Sequence, residues 1–126
     1  MTTLIEFLRT RYDEEQRDAE AAYDGDGYRE WDIPCTGVVQ VAGGDLDGLV
    51  VAPRNAAIHV ARHDPARVLA DVAAKRWLVD RAEHVMASSR DHAEATAWLH
   101  VVQRLATVYA DHPDYDPAWQ PAEVTT

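Results

Sequence analysis

The chain has 126 residues, 47% of them hydrophobic, a single cysteine and a net charge of −10. That length and apolar content suffice for one domain with its own core, and one cysteine excludes an internal disulfide framework and fits a reducing compartment. The charge is segregated: residues 1–32 hold ten acids and four bases, 109–126 four acids and no base, and 33–108 eight of each. With no cluster of Lys and Arg to displace counterions, the composition speaks against direct binding of DNA or RNA.

In chain order, Thr3-x-x-Glu6 is a capping-box pattern that predicts a helix start. Leu4, Ile5, Phe7, Leu8, Tyr12, Ala19 and Ala22 then recur at helical spacing to about Tyr23, with the charges on the other face. Asp24-Gly25-Asp26-Gly27 predicts a turn; it lacks the twelve-residue ligand pattern of a calcium loop. Tyr28, Trp31 and Ile33 alternate as a short strand that Pro34 ends. Val38–Val41 and Leu49–Ala52 are β-branched runs separated by a Gly-Gly loop, which predicts a β-hairpin.

A helical pattern follows over Ala56–Arg62. Asp64-Pro65 supplies an N-cap and a first-turn proline for a longer helix, which runs to Met86. Its apolar set of Val68, Leu69, Val72, Ala73, Trp77, Leu78, Val79, Ala82, Val85 and Met86 is too broad for one stripe, which predicts a central helix buried on two sides. Ser88-Ser89 breaks it. A last helix spans Asp91–Ala110, with Trp98, Val101, Val102, Leu105, Val108 and Tyr109 inward, packed antiparallel on the central one. Residues 111–126 form a proline-rich extended tail whose Tyr115 and Trp119 dock on the core, while 122–126 fray.

The expected architecture is therefore a single α+β domain over 1–126. Its parts are an amphipathic N-terminal helix, a long central helix paired with the C-terminal one as an antiparallel hairpin, and a small β-hairpin inserted after the first helix. The opening residues lack a basic n-region and an apolar h-region, so no signal peptide is expected. No run approaches the ~18 apolar residues of a membrane span. The expectation is a cytoplasmic protein without membrane contact.

HDPARVL (His63–Leu69), the long helix around Lys75-Arg76 and the YADHPDYxPxW tail (Tyr109–Trp119) resemble a family of short actinobacterial and actinophage proteins of unknown function. The opening LIEFLRTRYDEEQRDA is similar to the usual start of that family, so the resemblance covers most of the chain. It implies a small bacterial or phage-related cytosolic protein and carries no activity with it. Members often place a cysteine between the two motifs, whereas this chain has SSRDHAEATAWLH there.

Histidine is the sharpest chemical signal. His59 and His63 are four residues apart, so a continuous helix would turn both rings the same way, within reach of one metal ion. Val60 stands where a zinc protease motif would have Glu, so that mechanism has no support. Asp64 could add an oxygen ligand, and Asp111, His112 and Asp114 form a second cluster that could converge with the first if the tail folds back. Against this stands the plainer reading, in which Asp64 is an N-cap, Asp111 and Asp114 cap turns, and the histidines bond backbone. His84, His92 and His100 have no ligand pattern around them. Cys35 has no basic neighbour or helix start to activate it, and no serine-nucleophile motif is present, so no catalytic residue can be named.

Trp77, Trp98, Trp119 and Tyr115 are candidates for an apolar interface. Two functional expectations follow. The first is a non-enzymatic interaction or accessory protein, without a cofactor, that self-associates as a homo-oligomer or binds a protein partner. The second is a metal-dependent His/Asp site for a divalent ion such as zinc, with a hydrolytic or binding activity.

Overall fold

The computed structural model describes residues 2–22, 31–35, 38–41, 50–51 and 54–122. The expected turn at 24–27, the start of the strand at Tyr28, the loop at 42–48 and the fraying end at 123–126 lie outside the described residues.

Helix α1 spans Leu4–Ala22. Its start is the capping box: the Thr3 hydroxyl accepts from the Glu6 amide at 3.2 Å, and the Glu6 carboxylate accepts from the Thr3 amide at 3.1 Å. Leu4, Phe7, Leu8, Tyr12 and Ala19 are buried on one stripe, and Arg11 is buried beside them. Strands β1 (Trp31–Cys35), β2 (Val38–Val41) and β3 (Val50–Val51) pair antiparallel in the order β1-β2-β3. The β1–β2 register is irregular between Asp32 and Cys35, where Pro34 has no amide to give to the ladder. Helix α2 (Arg54–Arg62) lies against β1 and β2.

Helix α3 spans Pro65–Ser88. The Asp64 carboxylate accepts from the Arg67 amide at 2.8 Å, and Pro65 occupies the first helical position, where a missing amide costs nothing. Helix α4 (His92–Ala106) is capped by Asp91, whose side chain accepts from the Ala93 and Glu94 amides. Short 3-10 turns follow at Thr107–Tyr109 and Pro117–Trp119. Asp91→Ala should cost about 1 kcal/mol of stability, read as a lower urea midpoint; an unchanged midpoint would deny the cap that role.

The α+β class expected from the sequence, with a β-hairpin inserted into a three-helix core, does not fit. Helix dominates the described residues, in the three main helices expected and in α2, which matches the helical pattern expected over Ala56–Arg62. The reason is length. Among the described residues, runs of two to five extended residues form only a few cross-strand pairs, a small part of the fold beside α1 and α3, which have 19 and 24 residues. The breadth expected for the central helix is also corrected. Its fully buried apolar positions, Val72, Val79, Ala82 and Val85, make one stripe, and Trp77 lies off it. Val108, expected on the inner face of the last helix, is 75% exposed because α4 ends at Ala106 and the 3-10 turn changes the rotation per residue.

The chain forms two compact units, one of residues 1–13 with 73–126 and the other of 14–72. In the first, Leu4, Phe7, Leu8, Tyr12, Val79, Ala82, Val85, Val102 and Ala106 make the core. Arg9 donates to Asp80 at 2.8 Å and Glu83 at 2.9 Å, and Arg76 donates to Asp13 at 2.6 Å. Rising numbers on α1 thus meet falling numbers on α3, so these stretches run antiparallel. In the second unit, Ala19, Ala57 and Val72 are buried.

Candidate functional site

Two places gather the residues that the sequence singled out, one in each unit. In unit 14–72 the site is the junction of α2 and α3. The last turn of α2 places His59, and His63 follows in the turn forced by Asp64-Pro65. Their rings stand side by side, centroids 4.3 Å apart and planes 36° from parallel. His63 Nδ1 donates to the carbonyl oxygen of His59 at 2.8 Å. A carbonyl can only accept, so Nδ1 carries the hydrogen and the neutral ring keeps its Nε2 lone pair. Both side chains are exposed. Asp64 is committed to capping α3.

Beside His63 opens a cavity of about 240 Å³, lined by Glu15, Asp18, Ala19 and Ala22 of α1 with Pro65 and Val68 of α3. Among the described residues, its lining is aliphatic at Ala19, Ala22, Pro65 and Val68, with two carboxylates and an imidazole as polar side chains. Pockets for drug-sized ligands hold ~300–1,000 Å³, so this one suits a smaller occupant.

In unit 1–13 with 73–126, the second cluster surrounds Phe7. The tail brings Tyr109, His112 and Tyr115 edge-on to that ring at 5.6–6.0 Å, and Trp119 lies at 5.1 Å. The Arg11 guanidinium sits 5.2 Å over it, a cation–π contact. His112 Nδ1 accepts from the Asp114 amide at 3.0 Å, so its ring is engaged in the tail's own turn and in packing, and Asp111 and Asp114 are exposed. Among the described residues, no group of three or more His, Cys, Asp or Glu side chains is placed to hold a metal ion.

The interface candidates separate. Tyr115 and Trp119 pack on Phe7 and are half-buried, as is Trp98, while Trp77 is 62% exposed. Near it on α3 lie the exposed Ala73, Ala74, Arg81 and His84. On the flank of α3 next to Trp77, hydrogen bonds from Arg9 hold the Glu83 carboxyl below its ordinary range, and its bonds to Glu83 and Asp80 push Arg9 upward. These groups are exposed, so the network orients helices more than it stabilises them.

Sequence reasoning missed the cavity and the Arg9 network, since both join residues more than 40 positions apart. The one available signal was the acid spacing on α3: Asp80 and Glu83 share a face.

The described residues thus define a predominantly helical protein with an exposed imidazole pair, an acid-lined cavity and a solvent-facing tryptophan, and no recognisable catalytic constellation among them. The chain belongs to the family of unknown function DUF6221, whose model matches residues 1–121. No curated protein and no solved structure matches it.

Proposed function

We propose that the chain is a non-enzymatic interaction protein that works through the face of α3 centred on Trp77. The single observation that carries this reading is the exposure of Trp77, a large apolar ring left 62% in solvent while Val79, two residues along the same helix, is buried. Tryptophan is the side chain most often found to anchor an interface, because it offers a large rigid contact area with one polar edge. The flanking Ala73 and Ala74 would let another helix approach closely, and Arg81 and His84 would form a polar rim.

The occupant we favour is a second copy of this chain. The acidic residues of 1–32 and 109–126 would then serve solubility or a basic protein partner, with no nucleic acid involved. No helix among the described residues is long and apolar enough to cross a membrane, and the proposed setting is the cytoplasm of a bacterium, or of one infected by a phage, as the HDPARVL and YADHPDYxPxW motifs imply. Light scattering coupled to size exclusion should show a mass that rises with concentration in the wild type and stays monomeric in Trp77→Glu. Trp77 is exposed, so the variant should keep its helical circular dichroism. A wild type that is monomeric at every concentration and brings no partner through purification would contradict the reading.

A further inference from the structure

We propose that His59 and His63 form a two-imidazole clamp for a divalent transition-metal ion of the zinc, nickel or copper type. The site lies in unit 14–72 and goes beyond the proposed role of Trp77 on α3, on which it does not depend.

Four observations carry it. The ring centroids are 4.3 Å apart, so rotations about the side-chain torsions can bring both rings onto one ion. The tautomer of His63 is set by the bond from Nδ1 to the His59 carbonyl, which leaves Nε2 as the donor atom. Metal-bound histidines usually hold their other ring N–H in this way, because the bond fixes ring orientation and raises basicity. Both residues are exposed, so an ion reaches them without opening the fold. Finally, the described lining of the cavity that shares His63 includes the Asp18 carboxylate, a negative charge that favours a cation at that edge.

Imidazole nitrogen suits zinc, nickel and copper, whereas magnesium and calcium prefer oxygen. The described residues offer no third protein ligand. The remaining positions would therefore be filled by water or by a donor from another molecule, as in metal sites that keep open positions. Such a site binds reversibly.

The test is calorimetric titration of the full chain, stripped with chelator, with zinc chloride in the presence of excess magnesium. The expected result is one equivalent of zinc bound. His59→Ala and His63→Ala should each weaken binding on the order of tenfold or more, the double variant should lose little further, and His84→Ala and His92→Ala should leave it unchanged. His63→Gln keeps a polar side chain in the turn and should fold as the wild type while losing zinc equally. Long-range proton–nitrogen spectra of the histidine rings give a readout independent of heat: zinc should move the His59 and His63 signals and not those of the other four. Absence of zinc binding at millimolar concentration, or binding that survives in both single variants, would overturn the proposal.

Discussion

Phe7→Ala should lower the free energy of unfolding by about 3–5 kcal/mol. Phe7 is 1% exposed, and its ring is enclosed by Tyr109, His112, Tyr115 and Trp119 with the Arg11 guanidinium over its face. Truncation removes the transfer energy of a whole aromatic ring and leaves a cavity that four rigid rings collapse into poorly. It also strips the 111–122 segment of the surface its aromatics rest on. The loss should therefore come with a red-shifted Trp119 emission under native conditions, before global unfolding, because the indole gains water. Urea titrations followed by circular dichroism and by fluorescence check both parts. A loss below about 1 kcal/mol, with emission unchanged, would mean that the tail does not depend on this ring.

The second large effect separates two apolar residues that look alike in the sequence. Leu8 is fully buried, and Val108 is 75% exposed. Leu8→Ala should cost about 2–5 kcal/mol. Val108→Ala should stay within about 0.5 kcal/mol of the wild type, since surface changes away from caps and ion pairs seldom do more. Measured together under one denaturant protocol, the pair tests the placement of the core without relying on either absolute value. Equal costs would contradict the end of α4 at Ala106 and the exposure that follows from it.

What could be read from the sequence was local. Thr3 with Glu6, Asp64 with Pro65, and Asp91 are caps whose bonds close within three residues, so residue type and spacing carry the geometry. The class was not legible. Val38–Val41 and Val50–Val51 are β-branched, but propensity does not say how many rungs a pairing will have, and here the rungs are too few to set the class against four helices. Nor could periodicity choose the buried side of α3. Val68, Leu69, Val72, Trp77, Leu78 and Val79 surround that helix, and the choice is made by what packs on it. Arg9 meeting Asp80 and Glu83, and the tail rings meeting Phe7, are contacts over more than 70 positions that no window of sequence contains.

The candidate site divides the same way. The stacking of His59 and His63 follows from their four-residue spacing at the end of a helix, and that much was legible. The hydrogen bond that fixes the His63 tautomer arises from the Asp64-Pro65 break that ends α2. The carboxylates beside it come from α1, on the far side of the strands in sequence. Of the aromatic residues taken as interface candidates, Tyr115 and Trp119 are engaged by Phe7, and Trp77 is left facing solvent.

The measurement closest to the central claim is the indole region of a proton–nitrogen spectrum, where the four tryptophans give one N–H signal each, assigned by single Trp→Phe variants. The spectrum is recorded from low micromolar to millimolar protein. If α3 is the recognition face, the Trp77 signal shifts or broadens with concentration, the Trp98 and Trp119 signals hold still, and Trp77→Glu abolishes the concentration dependence of the remaining spectrum. If Trp77 is unmoved across the whole range while another indole responds, the interface lies elsewhere and the role assigned to α3 is wrong.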